Sequence, residues 1–86
     1  MPRATRTEAD LLRQEARALE LLAEEVEVPP ERMQAYWDVS ADLLNLVADI
    51  EEYHARAGHP EPDDPELLAL RRRARQIASR LVAIGR

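Results

Sequence analysis

Cysteine is absent from the 86 residues, which excludes a disulfide framework and a thiolate metal site. Lysine is absent as well, so all 12 basic residues are arginine, a usage that we attribute to a GC-rich bacterial or phage genome. No apolar run approaches the roughly 18 residues of a membrane span. The first residues, 1–6, are not followed by the apolar stretch of a signal peptide. These absences predict a cytoplasmic protein without membrane association.

Glycine is scarce, with two residues, and no segment alternates apolar and polar residues as a strand does. Leucine, alanine, glutamate and arginine, which favour helices, outnumber the β-branched and aromatic residues that favour strands. Hydrophobic residues make up 45% of the chain, enough for a packed core at this length. The composition therefore predicts one all-α domain that spans residues 1–86.

Three segments carry apolar side chains at helical spacing, and the short connections between them predict an antiparallel three-helix bundle. The middle segment is the longest, so we expect it to extend beyond its neighbours. The predicted segments are helices at about 8–27, 30–57 and 65–84, a flexible N-terminal arm at 1–6 and a proline-rich loop at 58–64.

Local signals place the helix ends. Thr7 and Asp10 have the spacing of a capping box, which begins the first helix. Pro29 ends that helix because proline has no backbone N–H to donate. Gly58 predicts a left-handed C-cap for the middle helix, and Asp64 predicts the N-cap of the third.

The middle helix is more apolar than a simple bundle needs. Its apolar arc is about twice the roughly 100° that such a helix buries. One seam with heptad spacing comprises Tyr36, Val39, Leu43, Leu46, Ile50, Tyr53 and Ala57. A second seam comprises Met33, Trp37, Leu44, Val47 and Ala48.

Two interpretations of this broad arc remain open. The two neighbouring helices cover different sides of it, or one seam is an intermolecular surface for a homodimer or for another protein's helix. We favour the second, because shorter neighbours would leave the end near Tyr53 uncovered, and because aromatic residues often anchor interfaces. The predicted partner-binding residues are Tyr36, Trp37, Val39, Leu43, Leu46, Ile50 and Tyr53.

Charge is divided along the chain. All 17 acidic residues lie before position 67, whereas six of the arginines follow it. These arginines are expected to pair with the acidic helices, and the alternative is an arginine stripe that meets nucleic acid or an acidic partner. Arg72 lies furthest from the apolar seam and is the candidate for such a contact. The overall acidity, with a pI of 5.0, predicts that nucleic acid is not a partner.

One constellation has metal-site spacing. Glu51 and His54 form Glu-x-x-His, by which one helix presents two ligands in di-iron carboxylate bundles, and Glu8 is expected at their level. A second copy would complete such a site. The structural alternative treats each residue separately: Glu8 meets a helix dipole, Glu51 pairs with Arg71, and His54 lies at a helix end.

No catalytic motif, phosphate loop or zinc spacing is present. The sequence therefore predicts a non-enzymatic helical protein–protein interaction module without a cofactor. Such a module is a small adaptor, regulatory or inhibitory subunit, or phage-type accessory protein, self-associating through the middle helix. The alternatives are a metal-binding or redox bundle, and a nucleic-acid-associated regulator that uses the arginine-rich third helix.

Overall fold

The computed structural model describes residues 6–85 and confirms an all-α three-helix bundle with a long middle helix. Most of the predicted N-terminal arm, residues 1–5, lies outside the described residues, as does Arg86. Helix α1 ends two residues before its predicted end, and the middle helix begins with a 3₁₀ turn. The elements are α1 (Glu8–Glu25), the 3₁₀ turn (Pro30–Arg32), α2 (Met33–Ala57) and α3 (Pro65–Ile84).

The capping box at the start of α1 is confirmed. The Thr7 hydroxyl accepts a hydrogen bond of 3.1 Å from the Asp10 amide, and the Thr7 amide donates one of 3.1 Å to the Asp10 carboxylate. Gly58 follows α2 with φ of 65° and ψ of −91°, so φ is positive as predicted but ψ is not that of a left-handed helix. Asp64 occupies the N-cap position of α3, although its side chain makes no capping bond.

One apolar side of each helix faces the axis of the bundle. The bundle measures 50 × 29 × 18 Å, and every side chain buried among the described residues is hydrophobic. The core therefore runs along the whole bundle and is built from three helix faces. The buried residues are Ala9, Leu12, Ala16, Leu19, Ala23, Val39, Leu43, Leu46, Ile50, Tyr53, Leu67, Leu70, Ala74, Ile77, Leu81 and Ile84.

The end of α2 does not extend uncovered beyond its neighbours, which corrects the expectation drawn from helix lengths. Tyr53 is 1% exposed, and its hydroxyl donates to the Asp64 carboxylate at the start of α3. Next to it, the His54 ring bonds Asp10 in the first turn of α1. The loop at 58–64 turns back directly, so the starts of both neighbours lie beside the last turns of α2.

The opposite end of the bundle is tied in the same way. The Arg32 guanidinium donates to the Ala83 carbonyl at 2.6 Å and to the Ile84 carbonyl at 3.2 Å, where a cation also meets the negative end of the α3 dipole. Gly85 lies against Val26, which follows α1. A Cβ added at Gly85 would come within 2.6 Å of Val26 Cγ2, so this glycine permits a close approach.

None of the helices within residues 6–85 is both long and apolar enough to cross a membrane.

Candidate interaction surface

Most of the first seam of α2 lies in the core of the chain itself. The side chains at most 5% exposed are Val39, Leu43, Leu46, Ile50 and Tyr53. Tyr36 is half-buried, and its hydroxyl donates a 2.8 Å hydrogen bond to the Ala23 carbonyl at the end of α1. These side chains, which the sequence predicted to bind a partner, thus lie in the core that α2 shares with α1 and α3.

The second seam of α2 is the exposed one. Trp37 is 62% exposed, Leu44 71% and Met33 39%, whereas Val47 packs against the edge of the core. On an ideal helical wheel, the residues opposite the core are apolar or small over most of the helix. We call this the outer face. Its exposed residues are Trp37, Ala41, Leu44, Ala48 and Ala55, with Met33 at its edge.

The outer face has the spacing of a coiled-coil seam. Its positions alternate steps of four and three residues, beginning at Trp37 and ending at Ala55. Large and small side chains alternate along it, since Trp37 precedes Ala41 and Leu44 precedes Ala48. One charged residue, Glu51, occupies the seam, and its carboxylate accepts a 3.0 Å hydrogen bond from Arg13 Nε of α1. The face is thus a narrow apolar strip with one carboxylate near its end.

The Trp37 side chain is supported by the neighbouring Tyr36 ring. Its ring meets the ring of Tyr36 edge to face, with centroids 6.4 Å apart and an interplanar angle of 68°. The Tyr36 ring is in turn fixed through its hydroxyl to the Ala23 carbonyl. An exposed indole supported in this way loses little conformational freedom on binding, which is what an interface anchor requires.

The two flanks of the outer face differ in charge. On the side towards α3 lie Asp38, Asn45 and Glu52, all exposed, and the Asp38 carboxylate accepts a 3.1 Å hydrogen bond from Gln34. On the side towards α1 lie residues that are half-buried and carry no acidic group, namely Ser40, Val47 and His54. A partner helix would therefore meet one acidic border and one nearly neutral border.

The three predicted metal ligands do not converge. Glu8 pairs with Arg71 of α3, and Glu51 pairs with Arg13, not with Arg71 as expected. His54 Nε2 lies 2.6 Å from the Asp10 carboxylate. Each side chain thus has its own partner, and no group of three ligating side chains within the described residues is arranged to hold a metal ion.

The bond between His54 and Asp10 affects the carboxyl group. It lowers the pKa of Asp10 from 3.8 to about 2, and the hydrogen bond from the Thr7 backbone adds to this effect. Both bonds stabilise the ionised carboxylate. His54, which the sequence placed at a helix end for its dipole, instead ties α2 to the first turn of α1.

The arginines of α3 divide into two groups. Arg71, Arg73 and Arg80 pair across the helices with Glu8, Asp49 and Asp42, respectively, as the cross-helix interpretation expected. Arg72 and Arg75 are exposed and form no ion pair with the described residues. They line an open depression of about 660 Å³ that lies entirely on α3. It is the outer surface of one helix and encloses no ligand-sized cavity.

Comparison of the chain with protein-family models, with curated proteins and with solved structures found no match.

Both seams of α2 are apparent in the sequence, but the seam predicted to bind a partner is the one that the structure buries. The composition of the seams distinguishes them. The first seam carries a large aliphatic or aromatic side chain at every step from Tyr36 to Tyr53, as a core does, whereas alanine fills every second step of the outer face from Ala41 to Ala55. The neighbouring aromatic residues Tyr36 and Trp37 made the two seams look alike, although Tyr36 packs against the edge of the core and Trp37 is exposed.

Proposed function

We propose that this protein is a non-enzymatic interaction module that binds a helix through the outer face of α2, and that self-association is one form of this binding. The observation that carries the proposal is the exposure of Leu44 (71%) and Trp37 (62%) on one face of a helix whose opposite face is fully packed. Single exposed apolar residues are common on protein surfaces. An apolar strip with heptad spacing is not, and it is typical of a helix that packs against another helix.

The surface suits a helix better than any other partner. A strip about one helix wide, bordered by polar side chains, accepts the apolar face of an amphipathic helix. Small residues at Ala41, Ala48 and Ala55 allow close approach, and Trp37 supplies the large anchor. Because the core is complete without the strip, the module is folded before it binds.

Neither alternative function has a comparable observation. The metal-binding interpretation needs Glu8, Glu51 and His54 together, and they belong to three separate pairs. The nucleic-acid interpretation needs a basic surface, yet three arginines of α3 are paired with carboxylates and the chain carries a formal charge of −5.

A pair of matched variants tests the proposal. Leu44→Glu places a charge on the outer face, and Leu68→Glu places the same charge on an exposed leucine of α3 that is 40% exposed. We expect sedimentation equilibrium to show self-association of the wild type and of Leu68→Glu, and its loss in Leu44→Glu. Circular dichroism should show the same helix content in all three, since neither leucine is buried.

The same variants, immobilised, serve for capture of proteins from the host. A partner retained by the wild type and by Leu68→Glu, but not by Leu44→Glu, identifies a foreign occupant of the face. The proposal fails if the wild type neither self-associates nor retains any protein in a Leu44-dependent way.

A further inference from the structure

We infer that the occupant of the outer face is α2 of a second copy, packed antiparallel about a two-fold axis that passes beside Asp42 and Leu43. This inference rests on the proposed function and names the partner and its direction. It follows from the order of large, small and charged residues along the face. That order of residues matches a second α2 that runs antiparallel and does not match one that runs parallel.

Parallel pairing would place each residue of the seam against the same residue of the second copy. Trp37 would meet Trp37, Ala41 would meet Ala41, and the axes would have to be far apart at one layer and close at the next. The Glu51 carboxylates would also face each other, and like charges in opposition are destabilising. Parallel pairing is therefore disfavoured by both shape and charge.

Antiparallel pairing places large residues against small ones. With the axis beside Asp42 and Leu43, Trp37 lies opposite Ala48 of the second copy, and Leu44 lies opposite its Ala41. Large residues facing alanines allow a constant separation of about 8–10 Å between the helix axes. The same register places Gln34 opposite Glu51, so an amide faces a carboxylate in place of two carboxylates facing each other.

The flanks agree with this register. A two-fold axis across an antiparallel pair brings each flank against the same flank of the other copy. On the acidic side Asp38 comes beside Asn45 of the second copy, which offers an amide donor. On the other side Ser40 comes beside Val47 of the second copy. No pair of like charges is opposed near the axis; Glu31 comes beside Glu52 of the second copy only at the ends of the strip, where both side chains are exposed to solvent.

The size of the strip sets the strength of the complex. From Trp37 to Ala55 the face is about 27 Å long and about 10 Å wide, so each copy contributes on the order of 300 Å². Stable specific interfaces bury about 800 Å² per partner. We therefore expect a reversible dimer that is populated at chain concentrations of about 100 µM and above and that dissociates on dilution.

Disulfide trapping tests direction and register in one experiment, because the chain has no cysteine of its own. Gln34→Cys and Glu51→Cys are both at exposed positions and are mixed at about 100 µM under mild oxidation. In the inferred dimer the two cysteines face each other within the roughly 4.4–6.8 Å between Cα atoms that a disulfide spans. Two copies of residue 34 are about 25 Å apart along the axis and do not react.

We expect covalent dimers in the mixture, few in either variant alone, and none when both chains also carry Leu44→Glu. Cross-linking of Gln34→Cys with itself would show parallel pairing and overturn the inference. A wild type that self-associates without any cross-link in the mixture would overturn the register. A wild type that remains monomeric at 500 µM would overturn the second copy as occupant, while Leu44-dependent capture of another protein would leave the proposed function intact.

Discussion

The approach of Gly85 to Val26 leads to a sharp prediction, because a methyl group at Gly85 has no room. A Cβ there lies 2.6 Å from Val26 Cγ2, against about 3.5–4.0 Å for carbon atoms at ordinary contact. Relieving that overlap requires the end of α3 to move from the Val26 segment or the valine to turn. Overpacking of this kind costs about 1–3 kcal/mol.

The backbone conformation of Gly85, in contrast, favours replacement by alanine. Gly85 has φ of −79° and ψ of −2°, which alanine adopts without strain. Replacing glycine at a compatible position stabilises a protein by about 0.4–1 kcal/mol, since the unfolded chain loses freedom. We therefore expect Gly85→Ala to destabilise by about 1–2 kcal/mol, which lowers the thermal midpoint by roughly 4–8 °C per kcal/mol in a chain of this size.

A double-mutant cycle separates the two effects. In a Val26→Ala background the overlapping methyl group is gone, so Gly85→Ala should be neutral or stabilising by up to about 1 kcal/mol. The measurement is urea or thermal unfolding followed by circular dichroism for the four chains of the cycle. Gly58→Ala is the matched control, because its Cβ meets nothing within 4 Å and its cost comes from φ of 65°. That cost should be the same in both backgrounds. Equal effects of Gly85→Ala with and without Val26 would refute the steric argument.

Three further predictions concern the polar contacts at the helix ends. The pKa of Asp10 is lower in the folded chain (about 2) than its ordinary 3.8, so the stability that the ionised carboxylate contributes is complete above pH 4 and is lost as the pH falls towards 2. Asp10→Asn should therefore unfold more readily than wild type at pH 7. In urea titrations this difference should vanish between pH 4 and pH 2. Burial, together with the hydrogen bond to Asp64, raises the pKa of Tyr53 from 10.0 to about 12, so its contribution is complete below pH 10 and is lost as the pH rises towards 12, which the absorbance of tyrosinate reports. Tyr53→Phe should remove this alkaline dependence and cost about 1–2 kcal/mol, and an unchanged midpoint would show that the bond adds nothing. Thr7→Ala should cost about 1 kcal/mol by opening the capping box, whereas Thr7→Ser should restore most of it.

The helix ends were predictable because the signals that set them are local. A hydroxyl three residues before a carboxylate, or a proline in the first turn, acts within one turn of helix whatever the rest of the chain does. Thr7 and Pro65 accordingly begin their helices where the sequence placed them. The end of α1 is less local, and Val26 leaves the helix to pack beneath Gly85.

The pairing of charges was only partly predictable, because it depends on which neighbour lies on which side of α2. The level of Glu51 along its helix follows from its position in the chain, but the direction of its side chain around the bundle axis does not. At that level Arg13 of α1 and Arg71 of α3 are alternative partners, and the structure joins Glu51 to Arg13. Which of the two seams of α2 is buried could not be predicted for the same reason, because heptad spacing marks an apolar face but not the direction in which that face points.

Because the core beneath the outer face is complete, the residues that keep this chain folded are different from those exposed on the outer face. Leu44 and Trp37 contribute little to the packing that keeps the chain folded, so we expect substitutions there to leave its folding nearly unchanged. If this face binds a helix as we propose, substitutions on it can change the partner one residue at a time without unfolding the chain. The buried side of the same helix has no such freedom, because its side chains are packed into the core that the three helices share.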